Sequence, residues 1–203
     1  MAYRRTPAIQ ARMAAQRQAI LDAAIAVLSK QGYAGCAMSA VAAEAGVATG
    51  SIYRHFPSKA DLAVELFRTV VSREVAAVSE AAQRPDDLVE RITAVIETFA
   101  GRALKSPRLA YALLAEPVDP AVDAERLVFR RAFRDVFAER IAEGVAKGVL
   151  PPQDPKTTAA ALVGAGGEAL IGPLADGQPG PDTVPALVTF TLRALGAADA
   201  AHA

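Results

Sequence analysis

Apolar residues recur along this chain at intervals of three and four, the spacing of one face of an α-helix. Ile20, Leu21, Ala24, Val27 and Leu28 predict a helix over about 12–31, with Gly32 as its stop. Two short helices are predicted next, over 38–45 and 49–56, separated by a turn at Gly46-Val47 and ended by Pro57. The run Ser58-Lys59-Ala60-Asp61 has the pattern of a capping box and opens a long helix to about residue 83. After the break Arg84-Pro85-Asp86-Asp87, either aspartate is suited to cap a helix running to about 104. Ser106-Pro107 and Asp119-Pro120 each set a capping residue before a first-turn proline, opening a short helix to about 116 and a long one to 147. Phe129, Phe133, Val136, Phe137 and Ile141 form one apolar stripe along the latter. Asp154-Pro155 begins a small-residue helix to about 174, and a last amphipathic helix is expected over 183–195, followed by a frayed tail. No segment reads convincingly as a strand. The pattern predicts an all-α fold of about nine helices.

Composition supports this reading. Alanine and leucine abound, aromatic residues make up 5% of the 203, and tryptophan is absent, which favours helices over a β-sandwich or barrel. The formal charge is zero, with 22 basic and 22 acidic residues, but it is unevenly spread. Residues 1–60 hold seven basic and two acidic side chains, so 61–203 hold fifteen and twenty. Such a basic head on an acidic body suggests that the head alone meets a polyanion. Arg4, Arg5, Arg12 and Arg17 are expected in a flexible basic arm. A single cysteine, Cys36, rules out an internal disulfide and reads as a small, half-buried apolar residue, a redox switch being the alternative. The N-terminus lacks an apolar signal core. The least polar stretch, 159–175, contains Glu168 with three glycines ahead of it and Pro173 near its end, so it reads as a buried helix of a cytoplasmic protein rather than a membrane span.

An enzyme is a poor fit. The only histidines are His55 and His202, and no paired Cys/His spacing, phosphate-cradling glycine loop or nucleophile motif occurs. No catalytic, metal or cofactor site is expected. What the basic third does offer is a helix-turn-helix over about 39–56. Ala42 is the small residue where two helices meet steeply, Gly46 makes the turn, and Val41, Ala45, Val47 and Ile52 pin the second helix to the first. That second helix exposes Thr49, Ser51, Tyr53, Arg54 and His55, which carry hydrogen-bonding groups suited to DNA.

Gly32-Tyr33, the run Val41-Ala42-Ala43-Glu44-Ala45-Gly46-Val47 and the run Gly50-Ser51-Ile52-Tyr53-Arg54-His55-Phe56-Pro57-Ser58-Lys59-Ala60-Asp61-Leu62 together resemble the TetR (tetracycline-repressor-like) family over residues 16–67. The resemblance implies an N-terminal three-helix DNA-binding domain over 1–60 and a helical effector-binding and dimerisation domain over 61–203. It implies that Tyr53 and His55 contact backbone phosphates, that Lys59 adds a charged phosphate contact, and that Thr49, Gly50 and Ser51 enter the major groove. Arg54 is placed to reach a phosphate or a guanine edge. Where the family commonly has a threonine as cap and phosphate contact, this chain has Cys36-Ala37, and Ser39 is the residue available to substitute.

The resemblance also implies a ligand held among the later helices. Phe99, Leu104, Tyr111, Leu114, Phe129, Phe133 and Phe137 are candidates to line its pocket, although core packing accounts for each at least as well. Arg130, Glu116 and Glu168 are the polar candidates, Glu168 standing out in a nearly chargeless helix where a hydrogen bond to a second subunit or a solvent-facing position explains it better than a ligand contact. Gly164, Gly166 and Gly167 each cost about 1 kcal/mol of helix propensity relative to alanine, which is tolerable where two helices approach closely. With Leu187, Val188, Phe190, Thr191, Leu192 and Leu195 they predict a homodimer through the last two helices. A dimer reads double-stranded DNA at a palindromic operator. The expected protein is thus a transcriptional regulator, a repressor released by a mainly apolar small-molecule effector. The alternative is a nucleoid-associated or division-control protein of the same fold without an effector.

Overall fold

The computed structural model describes residues 6–83, 87–177 and 180–197. Among them nine α-helices occur and no strand: α1 (Pro7–Gly35), α2 (Met38–Ala45), α3 (Thr49–Tyr53), α4 (Lys59–Ala81), α5 (Leu88–Lys105), α6 (Pro107–Leu114), α7 (Pro120–Ala146), α8 (Pro155–Asp176) and α9 (Thr183–Ala194). Arg4, Arg5, Arg84, Pro85, Asp86 and His202 lie outside the described residues.

Capping chemistry fixes several of these starts as the sequence predicts. The Ser58 hydroxyl accepts from the Asp61 N–H at 3.1 Å and donates to its carboxylate at 2.7 Å. Asp87 and Asp154 accept from the N–H groups of Glu90 and Thr157. Two expected caps are not made. Ser106 and Asp119 precede their prolines without a side-chain cap, and Asp119 instead receives the hydroxyl of Tyr33. Arg12 and Arg17 are not in a flexible arm, because α1 begins at Pro7 and includes both.

The interior has two apolar clusters. One joins Ile20, Leu28, Val41, Ile52 and Phe56 of the head to Leu62, Leu66, Phe67 and Val70 of α4 and to Ala112 and Val122. The other fills the body between α4, α5, α7, α8 and α9, with Ile92, Phe137, Ile141, Leu170 and Leu195 among its members. Helix α4 belongs to both, so its first half is head and its second half is body. At Gly144 the helices come so close that a Cβ would stand 2.5 Å from Leu88 Cδ2 and 2.7 Å from Leu150 Cδ1.

Helix α8 departs from expectation. It is long and apolar enough to cross a membrane, yet only Ala159, Leu162, Leu170 and Leu174 are buried, so within one chain it is not the buried helix the sequence predicted. A Cβ added at Gly164, Gly166 or Gly167 would meet nothing within 4 Å. Of the interface residues expected on α9, Leu187, Thr191, Leu192 and Leu195 are consumed by their own chain's core, while Phe190 stays 47% exposed.

Candidate nucleic-acid interface and effector cavity

Helices α2 and α3 are joined through Gly46, which ends α2 in the left-handed conformation at φ 65°. The Gly46 N–H donates to the Ala43 carbonyl and the Val47 N–H to that of Ala42, closing a Schellman turn that a Cβ-bearing residue would strain. Val41, Ala42 and Ile52 are buried and hold the two helices together. This packing leaves Thr49, Gly50, Tyr53 and Arg54 exposed and Ser51 half-buried, on one continuous face. Arg54 reaches back to Ser51 Oγ at 3.4 Å. Helix α2 starts at Met38 with Ala37 at its cap and no side-chain cap bond, so Ser39 does not replace the missing threonine as a cap; it stands exposed in the first turn.

His55 and Lys59 are more constrained than surface contacts need be. His55 Nε2 lies 3.0 Å from Gln16 Oε1, and burial, then Arg17 and Arg54, push its pKa below the ordinary 6.5, leaving a neutral imidazole at pH 7. Phe56 is buried beneath the Arg17 guanidinium, 4.6 Å from its ring centre. Lys59 Nζ donates to the Tyr33 carbonyl at 3.2 Å and lies 4.3 Å from the centre of the Tyr33 ring. Cys36 is buried, its thiol pushed upward in pKa by that burial, which makes it an inert packing residue.

Tyr33 marks the place where head meets body. Gly32 breaks α1 at φ 71°, freeing the N–H groups that follow it. Glu116, from the loop between α6 and α7, accepts both: Tyr33 N–H at 2.8 Å and Ala34 N–H at 3.1 Å. Glu116 therefore sits at this kink and not in a pocket. Asp119, in the same loop, accepts the Tyr33 hydroxyl; burial, strengthened by that hydrogen bond, pushes the phenol pKa far up. Arg108 adds a bond from α6 to the Lys30 carbonyl at 3.0 Å. The loop itself is clamped by Arg126, which donates to the carbonyls of Ala112, Leu113 and Glu116. None of these partners is near in sequence, and no local motif announces them.

A cavity of about 520 Å³ opens among α4, α5, α6, α7 and α8, within the range of about 300–1,000 Å³ usual for small-molecule sites. Phe99, Leu114, Phe129, Phe133 and Phe137 line it, Phe99 and Phe133 meeting edge to face at 5.3 Å. Glu168 and Arg130 stand on its border. Leu104 and Tyr111 are not brought to it; they pack against the body core instead. Val70, Val71, Leu109 and Leu113 belong to the lining and were missed, since nothing local separates a cavity wall from a core face. Leu109, Leu113 and Phe129 also pack against the cluster that builds the head. Cavity and head thus share a wall.

A helix-turn-helix head on a helical body is the architecture of a class of transcription regulators. Residues 20–66 match the description "Bacterial regulatory proteins, tetR family" and residues 85–169 match "Tetracyclin repressor-like, C-terminal domain", so the chain belongs to the TetR family. It is 34% identical over 100 residues to the transcriptional repressor KstR of Rhodococcus jostii, an overlap of 48% of this chain and 45% of that protein. The chain spans about half the length of the curated relatives it matches. In structure it resembles the fatty acid degradation regulator FadR of Bacillus halodurans, with a TM-score of 0.77 at 20% identity over 94% of this chain and 97% of that one. It also resembles FadR of Bacillus subtilis in complex with stearoyl-CoA, with a TM-score of 0.75 at 22% identity over 89% and 98%. At such identities these two likenesses establish the fold.

Proposed function

We propose that this protein is a cytoplasmic, homodimeric repressor that holds a palindromic operator and leaves it when a mainly apolar small molecule enters the cavity. Residues 1–60 read DNA; residues 61–203 hold the effector and the second subunit. The observation that carries this reading is the shared wall, because filling a cavity lined by Leu109, Leu113 and Phe129 displaces side chains on which the head is packed. A ligand favouring the DNA-incompetent arrangement by about 1.4 kcal/mol weakens DNA binding tenfold. The stearoyl-CoA bound by the Bacillus subtilis neighbour supports an aliphatic guest. A nucleoid-binding protein of the same fold leaves the cavity without a use. Fluorescence anisotropy with DNA from upstream of the gene, repeated with aliphatic compounds, tests the proposal. DNA affinity indifferent to every compound that binds the cavity rules out effector release.

On the DNA side, Tyr53→Phe, His55→Ala and Lys59→Ala are expected to weaken binding to all sequences, whereas Thr49→Ala and Ser51→Ala change preference among them. Loss of the Lys59 charge also lowers the counterion slope by about one unit. Lys59 holds Tyr33 as well, so Lys59→Met, which keeps the aliphatic stem, is the comparison for thermal stability. An unchanged slope in Lys59→Met removes that residue from the phosphate contacts.

On the dimer side, the exposed Phe190 borders a shallow depression with Ala186, Thr189, Arg193 and Ala194 on α9. Phe190→Asp is expected to leave the helical signal unchanged and shift the mass in solution from two chains to one. Sedimentation velocity reads this directly, and a dimer persisting at micromolar concentration places the interface elsewhere.

A further inference from the structure

Two rows of side chains run along α7 at four-residue spacing, and all six members border the cavity: Phe129, Phe133 and Phe137, and Arg126, Arg130 and Arg134. The first row supplies apolar wall. The second is not uniform. Arg126 is spent on the carbonyls of the α6–α7 loop, while Arg134 makes only a 3.2 Å bond from Nε to the Arg130 carbonyl of its own helix. Among the described residues the side chains of Arg130 and of Lys105, which borders the cavity from the end of α5, have no hydrogen-bonding or ionic partner.

Like charges four residues apart on a helix repel weakly, so the position of Arg130 between Arg126 and Arg134 favours an anion without destabilising the ligand-free helix measurably. The fold supplies a carboxylate to Arg126, from Asp123 at 3.3 Å, and none among the described residues to Arg130 or Arg134. Of the two carboxylates on the cavity border, Glu74 is engaged by Arg102 through bonds of 2.5 and 2.8 Å, leaving the exposed Glu168 against the exposed Lys105 and Arg130 and the half-buried Arg134. This basic rim stands on a body that is otherwise acidic, with fifteen basic and twenty acidic residues over 61–203.

We propose that the effector is an amphiphile whose aliphatic chain lies along the phenylalanine row and whose anionic head is held by Lys105, Arg130 and Arg134. This rests on the effector reading of the cavity and adds the head group to it. A guanidinium fork matches the paired oxygens of a carboxylate or a phosphate, so a fatty acid and a phosphate-bearing fatty acyl thioester share the required chemistry.

The test uses the full chain and isothermal titration with dodecanoate, dodecanoyl-CoA and the uncharged 1-dodecanol, each below its micelle concentration. At least one anionic probe binds about tenfold or more tightly than the alcohol, and Arg130→Gln/Arg134→Gln removes that advantage without changing the affinity for the alcohol. Both arginines lie at the rim, so the thermal midpoint of the ligand-free variant stays at the wild-type value. Tight dodecanoate assigns the head to a carboxylate; tight dodecanoyl-CoA with weak dodecanoate assigns it to phosphate. Equal affinity for alcohol and anions, or an unaffected double variant, overturns the head-group clamp and leaves the apolar cavity as an effector site. Failure of all three probes to bind overturns both.

Discussion

Replacing Phe67 with alanine is expected to destabilise the protein by about 3–5 kcal/mol, the usual range for truncating a buried phenylalanine. The ring is 0% exposed, meets the Tyr33 ring edge-on at 6.4 Å, and lies 5.9 Å from the Arg126 guanidinium carbon. Two of its neighbours are themselves held in place, Tyr33 by Asp119 and Arg126 by three carbonyls, which limits collapse into the space. For a chain of this length the loss corresponds to a fall in Tm of roughly 10 °C. The ring sits where the head core crosses into α4, so DNA affinity drops with stability. A loss under about 1 kcal/mol in urea unfolding contradicts the packing described for this junction.

The second large effect is expected at Glu116. Its carboxylate is the acceptor for two main-chain N–H groups freed by the Gly32 kink, and hydrogen bonds to charged groups are worth about 1.5–3 kcal/mol each before water replaces part of the loss. The Tyr33 bond is part-buried and the Ala34 bond exposed, so Glu116→Ala costs about 2–3 kcal/mol in all. Glu116→Gln retains one acceptor oxygen and recovers about half. The functional signature is separable from stability. At a temperature where both proteins are fully folded, Glu116→Ala binds DNA more weakly and responds less to effector, since the loop no longer positions α1. Equal release by effector in wild type and variant excludes Glu116 from the coupling.

The head was readable because its determinants are local. Gly46 stands four residues after Ala42, and the Schellman turn, the buried Ile52 and the break before Ser58 all follow from neighbours within a few positions. The body was readable as helices but only partly as a site. Phe129, Phe133 and Phe137 repeat every four residues on one face and line the cavity together, whereas Leu104 and Tyr111, equally apolar, turn toward the body core. Nothing in a single helix distinguishes the two directions when both are covered by other helices. Glu116 and Asp119 act on Tyr33 across 83 and 86 residues, a separation at which capping rules and periodicity carry no information; Asp119 has the sequence of a cap and a different partner. The glycines of α8 show the same limit from the other side. Their spacing predicts a close approach, and within one chain no atom approaches them.

The contact between Glu116 and the kink of α1 engages the peptide backbone of residues 33 and 34, not their side chains. Recognition of that kind is indifferent to sequence at the recognised positions. At these two positions the body recognises the main chain of the head, while Leu62, Leu66, Phe67, Ala112 and Val122 recognise its side chains. A foreign head that breaks its first helix with a glycine at position 32 offers the same two amides, but it must also place a tyrosine at 33 for Asp119 and an apolar face against Leu62, Leu66, Phe67, Ala112 and Val122. Chimeras built at this joint should inherit operator choice from one parent and ligand response from the other.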